Sequence, residues 1–300
     1  MLAKFSAAAL CAVLGAVALP AAAASDWSQV EQVLGRSSTQ QPDGVHRFSF
    51  PRTDLKVSVD AIQIEPALAL GSWVAFAPMA DHVMAMGDLV LTQDEIGPVM
   101  ERLAAGGISM TALHNHLLRA DPATMYLHIE AEGEPVAIAT TLRSALEATQ
   151  TPLVPPQAQA ETTPEFDTAR LDQLLGHAGK ASGRVYQVSI PRNHEITAHG
   201  QKLPTALGLS TALNFQATGD GRLAATGDFV LVAEEVEPVL QALTANHIEV
   251  TALHNHMLQE EPRLFFMHFW AVADPDSLAK GLRAAVSKMN VEQTATGQPG

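Results

Sequence analysis

The chain switches between two hydrophobic periods, and the same series of segments occurs twice. Segments such as HRFSF and RVYQVSI alternate apolar and polar residues, which is typical of strands. Further along, Ile96, Val99, Met100 and Leu103 recur at the spacing of one helical face, and this pattern ends at Gly106. Each series runs β-rich, then α, β, β and α. This order predicts an α+β fold in which helices pack on one face of a mainly antiparallel sheet.

The two series are related by a constant offset of 140 residues (254 − 114). The hexapeptide TALHNH stands at 111–116 and again, unchanged, at 251–256. The same offset takes His128 to His268. A repeat of this length predicts two homologous domains rather than a solenoid, and homologous surfaces readily pack about a pseudo-two-fold axis.

The boundaries of these parts follow from the repeat and from the composition. We predict a first repeat at 25–150 and a second at 165–291. Several prolines stiffen the segment 151–164, which is predicted to be an exposed linker. Residues 292–300 are predicted to be a flexible tail.

Residues 1–24 have the pattern of a secretory signal peptide. Lys4 precedes an apolar stretch at 5–19, and small residues follow up to Ser25. An apolar core of about 15 residues is shorter than the roughly 20 needed to span a bilayer. We therefore predict cleavage after Ala24, a periplasmic or secreted mature protein, and no integral membrane segment after cleavage.

Charge and cysteine content exclude several classes of function. The formal net charge of −14 repels phosphate backbones, so nucleic acid is not expected as a partner. The only cysteine, Cys11, lies in the predicted signal peptide, so the mature chain would have no disulfide. No serine or threonine stands in a nucleophile elbow, and no glycine-rich phosphate loop occurs.

The repeated histidines are the strongest candidate for chemistry. His114 and His116 point the same way on a strand, and a hairpin that pairs His116 with His128 would set His114 opposite Glu130. Three imidazoles and a carboxylate are suitable ligands for a divalent transition metal, zinc above all. The second repeat would build the same site from His254, His256 and His268, with His194, Glu195 or His199 as the candidate fourth ligand. Two alternatives stay open: half-buried structural histidines, and proton transfer without a metal.

Long strings in both repeats resemble the LppY/LpqO family of bacterial secreted proteins and lipoproteins, including GDLVLTQDEIGPVMERL, TALHNHLLRADPATMYLHI and TALHNHMLQEEPRLFFMHFWA. The resemblance covers nearly all of the mature chain as two tandem copies. It implies a fold more readily than a reaction. Some members are labelled peptidoglycan-binding, which implies a role in the cell envelope.

Three functions are compatible with these features. A metal-binding envelope protein, for which binding is favoured over catalysis, needs only the histidines. A metal-dependent hydrolase of envelope material also needs a general base, for which Glu130 is the candidate. A noncatalytic module that binds a cell-wall or other small-molecule ligand would use the aromatic side chains of Trp73, Tyr126, Phe266 and Trp270.

Two further pairs of residues have a simpler interpretation beside a functional one. Arg52 and Arg192 can bind an anionic ligand, although an exposed ion pair with a carboxylate is the simpler expectation. Asp88 and Asp228 follow glycines inside strand patterns, which favours a bulge or turn over a metal-binding carboxylate.

Overall fold

The computed structural model describes residues 27–79, 82–154 and 162–292. The helices are α1 (Trp27–Leu34), α2 (Pro66–Ala69), α3 (Gln93–Ala105), α4 (Pro135–Leu146), α5 (Thr168–Leu175), α6 (Ala233–Ala245) and α7 (Pro275–Val286), with short 3-10 turns at Pro42–Gly44 and Thr205–Leu207.

The strands of the first repeat are β1 (Thr39–Gln40), β2 (His46–Pro51), β3 (Ser58–Val59), β4 (Ile62–Gln63), β5 (Gly71–Pro78), β6 (Val83–Thr92), β7 (Ser109–His114) and β8 (Thr124–Gly133). Those of the second are β9 (Lys180–Ser182), β10 (Val185–Pro191), β11 (Thr197–Ala198), β12 (Gln201–Lys202), β13 (Ser210–Ala217), β14 (Leu223–Val232), β15 (Glu249–His254), β16 (Glu260–Glu261) and β17 (Leu264–Ala273).

Each repeat contains one antiparallel six-stranded sheet. The strand orders are β1-β2-β5-β6-β8-β7 and β15-β17-β14-β13-β10-β9, the same order read from opposite edges. Helices cover one face of each sheet, and each repeat has a separate apolar core beneath its helices, around Phe76 and Leu103 in one and Phe215 and Leu243 in the other. The predicted α+β architecture is confirmed.

The two sheets pack on each other through the faces that the helices leave free. Two apolar clusters contain residues from both repeats, one with Met86 beside Phe266 and the other with Tyr126 beside Trp270. Asn214 Nδ2 also donates to Leu68 O across the interface, at 2.9 Å. The molecule therefore has four layers, helix, sheet, sheet and helix, and the interface between repeats is a second core.

The glycine-aspartate pairs lie in regular strand, and the bulge occurs elsewhere. β6 and β14 run without interruption through Gly87 and Gly227. A Cβ on Gly227 would lie 1.9 Å from Ala212 O, so glycine is needed for close packing of neighbouring strands. The ladder shifts instead in β7, between Met110 and Ala112, and at the matching point in β15. The prediction of a bulge or turn at the aspartates is therefore wrong.

Three of the predicted parts fall wholly or partly outside the described residues. These are the signal peptide at 1–24, half of the linker at 151–164 and nearly all of the tail at 292–300, and they stay predictions. Among the helices within the described ranges, none combines the length and apolar character needed to cross a bilayer.

Candidate metal centre

Six histidines from the two repeats form a single cluster between the sheets. Each ring contacts one from the other repeat: the ring centroids lie 3.5 Å apart for His114 and His254, 3.7 Å for His116 and His268, and 3.7 Å for His128 and His256. The matched distances show that the cluster is close to two-fold symmetric. The sequence predicted one site in each repeat, and the structure differs because the faces that carry these side chains are pressed together.

The hairpin register is not the one predicted. The bulge in β7 sets Ala112 opposite His128 and His114 opposite Tyr126, while His116 lies two residues beyond the end of the strand. The predicted pairing of His116 with His128 is therefore wrong, and so is that of His114 with Glu130. Nevertheless, all three histidines point to the same face, because the loop after β7 returns His116 toward Tyr126, whose ring stacks on it at 3.4 Å.

Two aspartates complete the cluster, and sequence reasoning gave them little weight. Asp88 lies opposite His128 in the β6–β8 ladder, and Asp228 lies opposite His268 in the β14–β17 ladder. Asp88 Oδ2 is 3.9 Å from His116 Nε2, and Asp228 Oδ2 is 3.7 Å from the Nε2 of His256. The available signal was the alternation along β6 and β14, which puts a carboxylate on an otherwise apolar face.

Burial sets the protonation of the cluster. It raises the pKa of Asp88 to about 8 and the pKa of Asp228 well above its ordinary value. It lowers the pKa of His114 to about 4 and that of His268 to about 3. The remaining four imidazoles also have lowered pKa values, through burial first and neighbouring imidazoles second, at His116, His128, His254 and His256. At neutral pH the imidazoles are neutral, the form that binds metals.

The cluster concentrates buried polar atoms that lack a hydrogen-bond partner. Seven such atoms belong to it: Asp88 Oδ1, His116 Nε2, Asp228 Oδ1, His254 Nδ1, His254 Nε2, His256 Nε2 and His268 Nε2. A buried donor or acceptor without a partner costs about 1–3 kcal/mol, so native proteins rarely collect them in one place.

Four sets of these side chains have ligand atoms within 4.8 Å of one another. Two sets combine histidines of both repeats: one is His114, His128, His254 and His256, and the other is His114, His116 and His268. The other two sets each lie within one repeat: Asp88 with His116 and His128, and Asp228 with His256 and His268. Nitrogen and carboxylate donors at this spacing fit a transition metal.

One histidine has its coordinating nitrogen already defined. His268 Nδ1 lies 3.0 Å from the carbonyl oxygen of Gly227, which can only accept a hydrogen bond, so the proton is on Nδ1 and Nε2 is free. In the first repeat, His114 Nε2 lies 2.8 Å from His128 Nε2. The two halves of the cluster are thus alike in position and different in hydrogen bonding.

Comparison with known families assigns the chain. Residues 28–148 and 169–288 each match the family described as Domain of Unknown Function (DUF1259). The chain belongs to this family. The match supports two tandem copies but does not carry the LppY/LpqO name, and no curated protein matches the chain.

Two crystal structures share only weak similarity with the paired DUF1259 domains. One is the trimeric bacterial microcompartment shell protein PduB, with 10% identity, 84% of this chain and 90% of that chain covered, and a TM-score of 0.22. The other is EtuB from Clostridium kluyveri, with 9% identity, coverage of 83% and 90%, and a TM-score of 0.19. Scores this low carry no argument about fold or function.

Three other predicted ligands lie away from the centre of the DUF1259 domain pair. Glu130, the candidate general base, is in none of the described ligand sets, and its Oε1 lies 3.5 Å from His199 Nε2. His194 lies beside Arg192, with its Nδ1 3.4 Å from that guanidinium. Both His194 and His199 belong to the connection between β10 and β13, and neither is in any of the described ligand sets.

Three of the four predicted ligand-binding aromatic residues are buried. Tyr126, Phe266 and Trp270 are 1%, 0% and 3% exposed, so they cannot form the surface platform that a cell-wall ligand would need, whereas Trp73 is only partly buried, with the Arg47 guanidinium 3.8 Å from the centre of its ring. Tyr126 and Phe266 stack on His116 and on His256 and so form walls of the histidine cluster. Trp270 donates from Nε1 to Asp60 Oδ2 of the other domain.

The two predicted anion-binding arginines are buried rather than exposed. Arg52 Nη1 lies 2.7 Å from Glu95 Oε2, and Arg192 Nη1 lies 2.7 Å from Glu235 Oε2. The expected pairing with a carboxylate is present, but in the interior, where breaking it is much more costly than at the surface.

Proposed function

We propose that this protein binds a divalent transition metal at the six-histidine centre between its two DUF1259 domains, with zinc the first expectation. The observation that carries the proposal is the set of seven buried nitrogen and oxygen atoms without partners, contributed by both repeats. Each neutral imidazole offers one unprotonated nitrogen and the carboxylates offer oxygens, so bound cations would take up donor atoms from both repeats.

The number of donors suggests a centre that takes two ions. Six imidazoles and two carboxylates give eight ligands, which is enough for two four-coordinate ions without any exogenous ligand. The ligand sets that cross the interface share His114, which lies in contact with its counterpart His254 at the middle of the cluster. Two ions would therefore lie on either side of this pair and would bind in a coupled manner.

The arrangement favours binding over catalysis. A catalytic zinc site keeps a coordination position open and has a general base within reach of the bound water. Here the donors face one another, and Glu130 is directed to His199 instead of the cluster. Ions can enter beside His114 and His254, which are only partly buried.

The cell compartment belongs to the same proposal. The predicted signal peptide and the resemblance to LppY/LpqO proteins support a place in the envelope, in the periplasm or outside the cell. In that setting, a buried all-protein metal centre suits storage or buffering of a scarce metal.

The test is metal content together with ligand substitution. We expect protein purified with supplementary zinc to contain about two ions per chain by plasma mass spectrometry. The chelator-stripped protein should recover them in a titration against a competing zinc dye. His254→Ala should weaken zinc binding by the whole centre. This is expected even though His254 belongs to the second repeat, which supplies only half of the donors.

A matched control is His247→Asn, because His247 is exposed and lies outside the cluster. It should bind zinc like the parent protein. If the stripped protein takes up no zinc, nickel, copper or iron, or if His254→Ala and His247→Asn bind equally, the cluster is structural and the proposed function is wrong.

A further inference from the structure

The two buried arginines are built alike, and this similarity makes each repeat a reference for the other. Arg52 Nη1 donates to Val90 O at 2.7 Å, and Arg192 Nη1 donates to Val230 O at 2.6 Å. In both repeats the Nη2 group lies 3.0 Å from the second oxygen of the paired glutamate. One edge of the guanidinium is therefore occupied in the same way in both halves.

The other edge differs between the repeats. Arg52 Nε lies 3.0 Å from Asp54 Oδ1, and Arg52 Nη2 lies 2.8 Å from Asp54 Oδ2, so a carboxylate covers this edge with two hydrogen bonds. The 140-residue offset replaces Asp54 with His194. Arg192 Nε, which is buried, has no hydrogen-bond partner, and Nη2, which donates to Glu235 on the other edge, has on this edge a long 3.4 Å contact with His194.

The charge balance differs by one unit as a result. Arg52 faces two carboxylates, from Asp54 and Glu95. Arg192 has an ion pair with Glu235 alone and is only 6% exposed. A buried guanidinium with an unused donor is expected to bind an anion, because charge-assisted bidentate pairs are the strongest hydrogen bonds that arginine makes.

Space for such an anion is present at Arg192. A cleft of about 210 Å³ is lined by Arg192, Asn193, His194, Glu195, Lys202 and Thr205, among others. Lys202 and Glu195, which both line the cleft, pair with each other at 3.2 Å and so add no net charge to it. His194 borders the cleft, and its contact with Arg192 is at the long limit for a hydrogen bond, so a ligand displaces little.

We propose that this cleft is a binding site for the carboxylate group of a small molecule, held on Nε and Nη2 of Arg192 as Asp54 is held on Arg52. The first repeat indicates the ligand class, because it is a planar carboxylate that covers the same guanidinium edge there. The site is independent of the metal centre, since no residue is shared between them. It also assigns the two repeats different roles. In the first, Asp54 occupies the Nε edge of Arg52, and in the second the same edge of Arg192 is open to a ligand.

The test uses the repeats as controls for each other. Sodium acetate is titrated into the 15N-arginine-labelled protein while the arginine Nε–Hε signals are followed by NMR, with sodium chloride at equal ionic strength as the reference. Loss of one signal in Arg192→Lys identifies Arg192. We expect a saturable acetate shift of this signal in the parent protein.

Two substitutions exchange the residues that stand at this position in the two repeats. His194→Asp gives the second repeat its own carboxylate and should weaken acetate binding at least tenfold. Asp54→His should make the Arg52 signal respond to acetate as well. The proposal is overturned if the Arg192 signal shows no saturable shift, if His194→Asp responds like the parent protein, or if sodium phosphate binds more tightly than acetate.

Discussion

The most demanding test of the metal centre is whether substitutions in different repeats act on one another. His114 and His254 are 140 residues apart in the chain, and their ring centroids are 3.5 Å apart. If each repeat had its own site, the two substitutions would add, as changes at independent sites do. If the six histidines form one centre, the second substitution has little left to remove.

The size of the effect follows from linkage. A ligand at 100 times its Kd stabilises the folded state by about 2.7 kcal/mol. Loss of a direct ligand is expected to weaken binding by about 100-fold, the upper end of what even outer contacts to a ligand cost. The stabilisation by metal then falls to about 0.4 kcal/mol, a loss of about 2.3 kcal/mol for either His114→Ala or His254→Ala.

The double variant separates the two cases. For one centre that fills as a unit, the loss cannot exceed the whole 2.7 kcal/mol or so, which leaves an interaction energy of about −1.9 kcal/mol relative to additivity. For two independent sites, the stabilisation would start about twice as large and the losses would add.

The assay is the difference in unfolding free energy with and without chelator, measured by urea denaturation at fixed zinc, for the parent protein, both single variants and the double variant. Comparing each variant with its own chelated form cancels any direct effect on folding. In the parent protein the same stabilisation raises Tm by about 5–11 °C. An interaction energy within about 0.5 kcal/mol of zero would refute the shared centre, even if both histidines bind metal.

Four further outcomes are expected. Because the pKa of Asp88 is raised to about 8, zinc binding at pH 7 should displace protons from carboxyls, so zinc affinity rises between pH 6 and 8, and calorimetric enthalpies depend on the ionisation enthalpy of the buffer. Without metal, stability should rise from pH 4 to 6.5, because the pKa values of all six cluster histidines are lowered on folding and these histidines outnumber the two carboxyls, Asp88 and Asp228, whose pKa values are raised. Stability should then fall toward pH 8, where the histidines are neutral in both states and only the protonated carboxyls make the folded state bind more protons. A flat Tm in circular dichroism melts with chelator would contradict this. Glu235→Gln should lower the free energy of unfolding, measured in urea, by about 3–5 kcal/mol, because it leaves the buried guanidinium of Arg192 without its ion pair. Gly227→Ala should also destabilise, since its Cβ would lie 1.9 Å from a carbonyl oxygen, whereas Gly97→Ala, in open space on α3, should stabilise by about 0.5–1 kcal/mol; equal melting temperatures for the two would contradict the packing.

The sequence alone determined the architecture and the identity of the histidines. Secondary structure depends on local periodicity, so the α+β fold could be predicted from the order of residues. The two tandem domains could be predicted because similar segments, including the unchanged hexapeptide TALHNH, recur at an offset of 140 residues. The choice of His114, His116, His128 and their counterparts also needed only the alternation of strand side chains, because that alternation survives a change of register by an even number of residues.

Only the tertiary structure decided that these residues form one centre. Whether two sheets bury their free faces against each other depends on the summed apolar surface of both repeats, which no local pattern contains. His114 pairs with Tyr126 and not with Glu130, four residues away, and the bulge in β7 shifts the ladder by one residue between Met110 and Ala112; no local pattern in the sequence specifies this register. Asp88 could be recognised as part of the cluster only once a second sheet had buried it beside neutral imidazoles.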